Sequence, residues 1–206
     1  MRVYIVRHGQ STSNASEHHQ GGEVDLSSLG IRQAKKIALR VSRLPIDIIL
    51  SSDYTRALHT VEIIRTRTQK KLVITPLLRE YRPPSEFEGK HIKSPDVVRV
   101  KKLIFKNRNN TKWHFSDEEN FFDFIKRTRK LLRFLEERKE ENILVIGHAF
   151  TTRMLIGVLL FDTLLTPDVY IKLRERMKLE NTGISMCDYI EGKWRLITWN
   201  DYEHLG

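Results

Sequence analysis

Short apolar runs rich in β-branched residues alternate with amphipathic segments along most of the chain, and this alternation constrains the fold most strongly. The apolar runs have the length of strands and lie at residues 3–6, 46–51, 71–75, 142–148 and 184–190. Segments with helical periodicity lie at 27–43, 54–68 and 117–139. Strands that alternate with helices typically form a parallel sheet covered on both faces. We therefore expect an α/β fold, a three-layer α/β/α sandwich around a mostly parallel sheet, within one domain over residues 1–206.

Two of the helical segments carry a clear apolar face. In residues 27–43, Ser27 or Ser28 is a suitable N-cap. The face of that segment consists of Leu29, Ala34, Ile37, Ala38, Val41 and Leu44. In residues 117–139 the expected buried stripe is Phe121, Phe124, Ile125, Leu131, Leu132 and Leu135. Near the end of the chain, strand-like residues 184–190 and 194–199 lie on either side of Gly192, which predicts a hairpin.

One stretch, residues 83–111, interrupts this alternation. It begins with paired prolines, has few apolar periodicities and is rich in cations: Lys90, Lys93, Arg99, Lys101, Lys102, Lys106 and Arg108. We interpret it as an insertion in the α/β domain that is helical at about 95–106. Its cations form either a solvated surface or a field near a binding site that attracts anions.

Charge and cysteine content narrow the possible partners and compartment. The net charge of +10 is compatible with a nucleic acid, a membrane surface, a small polyanionic substrate or simply a basic proteome. The single cysteine, Cys187, excludes an intrachain disulfide and fits a reducing compartment. No apolar run approaches the roughly 20 residues that span a bilayer, and no signal peptide is evident. We expect a cytoplasmic protein that does not enter membranes.

Charged and titratable side chains follow four of the predicted strands. Arg7-His8-Gly9 follows the first, Arg56 comes soon after the second, Arg79-Glu80 follows the third, and His148 follows the fourth. In an open α/β sheet, ligands bind beyond the carboxyl ends of the strands. Two histidines, several arginines and a carboxylate at that edge predict a site that binds a phosphoryl group and performs acid–base chemistry on it.

Several motifs occur in the order found in one known family. Arg7-His8-Gly9 follows the first strand, LSSDYTRALHT (50–60) has the form Ser-Ser-x-x-x-Arg-Ala-x-x-Thr, and LLRE (77–80) and VIGHA (145–149) supply a carboxylate and a second histidine. In this combination the chain resembles the histidine phosphatase superfamily, which includes the cofactor-dependent phosphoglycerate mutases. The resemblance extends to ENTGIS (180–185) and so covers nearly the whole chain.

The resemblance implies a division of roles. His8 becomes a phosphohistidine, and Glu80 protonates the leaving oxygen and then activates water. The phosphoryl oxygens are held by Arg7, Arg56 and His148. Further substrate contacts are implied for Asn14, Gln20, Gly21 and Ala149. Arginine forks neutralise phosphoryl charge, so no metal and no cofactor is expected, and insertions such as 83–111 commonly cap the pocket in this family.

Some alternatives remain open on the sequence alone. Glu86 is a second candidate for the carboxylate, because Pro83 and Pro84 interrupt the family pattern after Glu80. The mutase-like tryptophan is replaced by Ser13, which favours a phosphatase acting on a small anionic phosphorylated metabolite. A mutase-type phosphotransferase, or a basic phosphate- or nucleic-acid-binding module without catalysis, is the alternative. The other histidines lack zinc-ligand spacing, and the oligomeric state is not encoded in these patterns.

Overall fold

A six-stranded sheet forms the centre of the molecule in the computed structural model, which describes residues 1–19 and 21–206. The strands are β1 (Arg2–Arg7), β2 (Ile48–Ser51), β3 (Lys71–Ile74), β4 (Asn142–Gly147), β5 (Ile184–Ile190) and β6 (Lys193–Asp201). Their order in the sheet is β3-β2-β4-β1-β5-β6. The first four strands are mutually parallel, and β5 is antiparallel to both β1 and β6. The mostly parallel sheet predicted from the sequence is therefore confirmed.

Seven α-helices surround the sheet over the described residues. They are α1 (Thr12–Ala15), α2 (Ser28–Val41), α3 (Thr55–Thr68), α4 (Pro95–Lys106), α5 (Phe121–Glu136), α6 (Ala149–Phe161) and α7 (Pro167–Arg176). No helix among the described residues is long and apolar enough to cross a membrane.

The buried strand residues divide between two hydrophobic clusters, one on each face of the sheet. Val3 and Ile5 of β1 belong to the cluster that includes α5 and α6, whereas Tyr4 and Val6 belong to the cluster that includes α2 and α3. Successive strand side chains point to opposite faces, so a strand covered on both sides is apolar throughout. This arrangement confirms the expected three-layer α/β/α sandwich.

The start of α2 differs from the expected buried face. Ser27 caps the helix, its hydroxyl accepting from the Gly30 amide at 3.1 Å. Gly30 lies on the buried face, and a Cβ there would come within 2.0 Å of the Gln10 carbonyl oxygen, so the helix approaches the loop after β1 at backbone distance. Leu29 precedes it by one residue, about 100° around the helix. Leu29 is 39% exposed, so its predicted burial was wrong.

The long helix α5 is shorter than the expected 117–139. The Asn120 side chain accepts from the amides of Phe122 and Asp123 at 2.9 and 3.0 Å, which fixes the first helical residue at Phe121. The expected hairpin is confirmed, because Ile190 pairs with Lys193 across a two-residue turn. Glu191 and Gly192 both have positive φ, 51° and 74°, as a type I′ turn requires.

The insertion at 83–111 contains α4 and has a small hydrophobic cluster of its own. Phe87, Val97 and Val100 are buried there, with Ile104 and Phe115 packed against them. The helix begins with Pro95 at its first position and ends at Lys106, as expected for 95–106. Backbone hydrogen bonds join the insertion to the loop after β1: His19 donates to Lys90 at 2.9 Å, Gly89 to His19 at 3.0 Å and Ile92 to Glu17 at 3.0 Å.

Candidate active site

The carboxyl ends of β1 and β4 place two histidines side by side. The two strands are parallel neighbours, and the His8 amide donates to the Gly147 carbonyl at 3.0 Å. His8 and His148 are the residues that directly follow the two strands, and their ring centroids lie 5.0 Å apart. Both side chains are buried.

Two buried arginines complete the cationic part of the site. Arg56, in the first turn of α3, is 1% exposed; its Nε donates to His8 Nε2 at 3.2 Å and its Nη1 to the Gly21 carbonyl at 2.9 Å. Burial lowers the pKa of Arg56 to about 10, so the guanidinium remains charged at neutral pH. Arg7 donates from Nη1 to the Leu179 carbonyl at 2.7 Å, and burial lowers its pKa as well.

The hydrogen bonds of His8 define its tautomer. Its Nδ1 lies 2.6 Å from the Gly9 carbonyl oxygen, and since a carbonyl only accepts, Nδ1 carries the proton. Nε2 accepts from Arg56 and therefore holds a lone pair. Burial, followed by the charges of Arg56 and Arg7, lowers the pKa of His8 well below 6.5. The ring is neutral at physiological pH, with its basic nitrogen facing the arginines.

Several buried polar atoms at this point have no partner among the described residues. They are Nε of Arg7 and both ring nitrogens of His148. Burial, together with the charges of Arg56, His8 and Arg7, lowers the pKa of His148 well below 6.5. Buried donors are almost always paired in proteins, so a group of unpaired ones around a cationic centre indicates an anionic ligand with several oxygens.

Glu80 lies at the N-terminus of α6. Its carboxylate accepts from the amides of Phe150 and Thr151 at 3.1 and 3.0 Å and from the Tyr81 amide at 3.0 Å, while the Thr151 hydroxyl donates to the Arg79 carbonyl at 2.6 Å and lies 3.3 Å from the carboxylate. The helix dipole favours a carboxylate in that position. Since α6 begins immediately after His148, this contact fixes Glu80 relative to the second histidine.

Arg7, His8, Arg56 and Glu80 share one cavity of about 860 Å³, lined also by Asn14, Gly21 and Ala149, whereas the fully buried His148 does not line it. The predicted site residue Gln20 lies outside the described residues. Asn14 caps its own short helix, with its side-chain oxygen 3.4 Å from the Ser11 amide. Glu86, the second candidate for the carboxylate, is exposed and does not line the cavity, whereas Glu80 does. The geometry therefore favours Glu80.

Of the cations named in the insertion, Lys101 and Arg108 line the cavity. Lys90 instead pairs with Asp96, and Lys93 lies 3.4 Å from Glu17. The sequence left open whether these cations form a solvated surface or a field near the binding site, and local carboxylates engage two of them. Among residues 1–19 and 21–206, no group of three or more histidine, cysteine or carboxylate side chains is arranged to hold a metal ion.

Sequence reasoning missed the aromatic part of the cavity wall and two contacts that hold the loops. Tyr81, Phe121, Phe124, Phe150 and Tyr170 all line the cavity. Phe121 and Phe124 belong to the buried stripe predicted for residues 117–139, and the sequence analysis assigned no role to the other three, so no pattern pointed to a shared cavity.

The two contacts come from residues far apart in the chain. Asn181 donates from Nδ2 to the His8 carbonyl at 2.9 Å, and ENTGIS was the only signal for it. Arg127 donates to the carbonyls of Leu77 and Arg79 at 2.9 and 2.8 Å and thereby fixes the loop before Glu80.

Comparison with known families agrees with this geometry. A family model described as the histidine phosphatase superfamily, branch 1, matches residues 3–202. The chain belongs to the histidine phosphatase superfamily. The resemblance drawn from the motifs is thus confirmed, and members of this superfamily with both phosphatase and mutase names are similar to the chain.

Two curated relatives illustrate that range. A Hydrogenobacter thermophilus protein, provisionally named phosphoserine phosphatase 2, is 33% identical over 161 residues, which cover 77% of this chain and 78% of the relative. A Yersinia pestis protein, provisionally named phosphoglycerate mutase GpmB, is 30% identical over 203 residues, covering 97% of this chain and 90% of the relative.

Solved structures of the superfamily share the fold. Bacillus stearothermophilus YhfR matches with a TM-score of 0.84 at 21% identity, covering 100% of this chain and 99% of that one. A phosphoserine phosphatase from Entamoeba histolytica, in complex with 3-phosphoglyceric acid, matches with a TM-score of 0.81 at 24% identity and covers 99% and 98% of the two chains. At these identities the likeness establishes the α/β fold.

Proposed function

We propose that this superfamily member hydrolyses phosphomonoesters of small metabolites through a phosphohistidine on Nε2 of His8, without a metal ion. The observation that carries the proposal is the buried, neutral His8, whose Nε2 lone pair lies among cationic and unpaired donors. A histidine nucleophile must be neutral to attack phosphorus. Residues 83–111 act as a cap over the site within a single domain.

In the first step, the Nε2 lone pair forms a bond to phosphorus while the bond from phosphorus to the ester oxygen breaks. The electron pair of that bond stays on the leaving oxygen, which takes a proton from Glu80. The positive charge that develops on the imidazole is stabilised by the hydrogen bond from Nδ1 to the Gly9 carbonyl. Arg7 and Arg56 neutralise the equatorial oxygens, which is the main requirement of phosphoryl transfer.

His148 and Asn14 supply further donors to the phosphoryl group. His148 is neutral and has one N–H, and its position beside His8 supports a role as a donor to the phosphoryl oxygens. As the general acid of this mechanism, Glu80 enters the first step with a proton and donates it to the leaving oxygen when the ester bond breaks.

In the second step, Glu80 removes a proton from a water molecule, whose oxygen attacks phosphorus. The bond between phosphorus and Nε2 breaks, its electron pair returns to the imidazole, and inorganic phosphate forms. A cavity of about 860 Å³ leaves room for this water beside the product alcohol.

A mutase is the second candidate, because a 30% identical relative is provisionally named as one. A mutase must return the phosphoryl group to the bound acid before water reaches it. The resemblance to phosphoglycerate mutases would lead one to expect a tryptophan at position 13 and a different sequence after Glu80. This chain has Ser13 and Tyr81-Arg82-Pro83-Pro84 there instead. A module that binds phosphate without catalysis is disfavoured, because it has no use for a neutral histidine paired with a fixed carboxylate.

A quenched reaction with ³²P-labelled phosphoserine and 3-phosphoglycerate tests the proposal. We expect a protein-bound label that is stable to base and labile to acid, and release of inorganic phosphate at each turnover. His8→Asn should carry no label and should lose at least about 10³-fold in kcat. The matched control is His59→Asn, which makes the same change at a histidine of α3 outside the cavity. Label transferred mainly to a second position of the acid would identify a mutase, and full activity in His8→Asn would refute the mechanism.

A further inference from the structure

We propose that the cavity selects phosphomonoesters whose leaving group is bulky and apolar, an inference that rests on the proposed function. The phosphoryl end of the cavity is cationic, as described above. The part beyond Glu80 has a different character, because it is walled by aromatic rings. Since Glu80 protonates the leaving oxygen in the proposed mechanism, the group attached to that oxygen must lie beside Glu80.

The residues that hold and flank Glu80 start the aromatic wall. The Phe150 amide donates to the Glu80 carboxylate at 3.1 Å, and Tyr81 follows Glu80 in the chain and donates to it at 3.0 Å. The rings of Tyr81 and Phe150 stack, with centroids 5.8 Å apart and planes at 22°. Both rings line the cavity. The leaving group therefore passes directly from the proton donor to an aromatic surface.

Three more rings extend this surface from α5 and α7. Phe124 lies 5.8 Å from Tyr81 and 6.2 Å from Tyr170, measured between ring centroids. Phe121 lies 6.1 Å from Tyr170. All five rings line the same cavity, and they are connected by contacts at the distances typical of aromatic clusters. The aromatic wall, defined by Tyr81, Phe121, Phe124, Phe150 and Tyr170, is thus continuous.

The polar tips of the two tyrosines are directed to protein partners. The Tyr170 hydroxyl donates to the Phe150 carbonyl at 3.1 Å, and the Tyr81 hydroxyl donates to Glu118 at 3.4 Å. Burial raises the pKa of both hydroxyls above 10, so they remain neutral. A ligand in the cavity therefore meets the ring surfaces of these residues.

Four cations line the cavity outside its phosphoryl end: Arg82, Lys101, Arg108 and Arg174. Lys101 donates to the Ile92 carbonyl at 3.3 Å and Arg108 pairs with Asp168 at 2.8 Å. Arg174 lies over the Phe150 ring at 4.5 Å and is itself part of the surface around the aromatic rings. His19, which also lines the cavity, has its pKa lowered to about 4 by burial and is neutral at physiological pH. Two of the four cations are therefore held by protein partners, and the ω-carboxyalkyl ester used below tests whether the others attract a second anionic group.

Cavity size agrees with a bulky leaving group. The volume of about 860 Å³ lies in the upper part of the roughly 300–1,000 Å³ range of sites that enclose drug-sized ligands. A three-carbon phosphorylated acid occupies only a small part of it. For a substrate group that lies against the aromatic rings, removal of apolar surface from water is the main source of binding free energy, because the polar atoms of these rings already have protein partners.

A series of n-alkyl phosphates from ethyl to octyl tests this inference, since the reacting group and the basicity of the leaving oxygen stay nearly constant. Each methylene group that becomes fully buried should raise kcat/KM by about fourfold. With partial burial we expect a rise of roughly 50-fold or more from ethyl to octyl phosphate, measured by release of inorganic phosphate. An ω-carboxyalkyl phosphate of the same length should be a poorer substrate than octyl phosphate.

A pair of matched variants locates the effect. Phe121→Ala removes a ring of the aromatic wall, and Phe134→Ala makes the same change at a half-buried position of the same helix outside the cavity. Phe121→Ala should lower the octyl-to-ethyl ratio of kcat/KM by roughly tenfold, whereas Phe134→Ala should keep the wild-type ratio. If Phe121→Ala does not fold, the series of alkyl phosphates measured with the wild type still tests whether the cavity has an apolar subsite.

Calorimetric binding of ethyl- and octylphosphonate, which cannot be hydrolysed, separates the two proposals. Tighter binding of octylphosphonate without hydrolysis of any ester would support the apolar subsite and overturn the proposed function. Hydrolysis of phosphoserine and ethyl phosphate with no dependence on chain length, or preference for the ω-carboxyalkyl ester, would overturn the apolar subsite and leave the proposed function standing.

Discussion

The neutral state of the two active-site histidines makes a quantitative prediction about stability that needs no substrate. His8 and His148 have pKa values well below 6.5 in the folded protein, mainly because of burial and of the adjacent charge of Arg56. In the unfolded chain both return to a value near 6.5. Between pH 7.5 and pH 5.5 the unfolded chain therefore takes up protons that the folded protein does not, and the free energy of unfolding falls as the pH falls.

If both rings stay neutral in the folded protein down to pH 5.5, the loss of stability depends only on the pKa of histidine in the unfolded chain. Each histidine then costs about 1.4 kcal/mol of stability on going from pH 7.5 to pH 5.5, and the pair costs about 3 kcal/mol. Other groups with shifted pKa values, such as His19 and His204, contribute equally to wild type and to variants at positions 8 and 148 and cancel in the comparison.

The assay is urea denaturation at both pH values in phosphate-free buffer. His8→Asn/His148→Asn should lose about 3 kcal/mol less stability on acidification than the wild type, and each single variant should recover about half of that difference. The increments should add, because two neutral rings do not repel each other. Identical pH dependence of wild type and double variant would show that both rings titrate normally, and the argument for a neutral nucleophile would fail.

The remaining predictions concern the chemistry. Glu80→Gln should reduce kcat strongly for alkyl phosphates and much less for p-nitrophenyl phosphate, whose leaving group needs no proton. Glu86→Gln, at an exposed position, should have little effect on either substrate. The opposite pattern would identify Glu86 as the proton donor. Thr151→Val removes the hydroxyl that donates to the carbonyl of Arg79, the residue before Glu80, at 2.6 Å, and through that position it should lower kcat for alkyl phosphates about threefold to tenfold with a smaller effect on p-nitrophenyl phosphate. Equal effects on both substrates would mean a merely structural role. Activity should survive exhaustive treatment with EDTA, and loss that Mg²⁺ or Zn²⁺ restores would contradict a site built on arginines.

The parts of the site that the sequence predicted are those fixed by local chain geometry. A residue that directly follows a parallel strand lies at the carboxyl edge of the sheet, so the positions of His8 and His148 follow once their strands are recognised. Arg56 is one turn into α3 and Glu80 follows β3 by a short 3₁₀ turn, so the same argument reaches them. In each case fewer than ten residues separate the side chain from its strand.

The parts that the sequence did not predict depend on how distant segments pack. Phe121 and Phe124 have the spacing of a helix core, and Phe124 is indeed 1% exposed, yet both line a cavity together with residues of the insertion and of α7. The pairing of Lys90 with Asp96 is a second example, since a count of cations along the chain does not show which of them have local carboxylate partners.

The division between a cationic and an apolar part of the cavity has a kinetic consequence. In the proposed mechanism, Arg7, Arg56 and His148 act on oxygens whose charge and position change during phosphoryl transfer, so their contacts can be stronger in the transition state and raise kcat. The aromatic wall contacts atoms that take no part in the reaction, and its binding energy is nearly equal in the ground state and the transition state. A longer alkyl group should therefore lower KM while leaving kcat almost unchanged. If kcat instead rises with chain length, the wall must help to orient the ester for attack, and the leaving group would then contribute to catalysis through positioning.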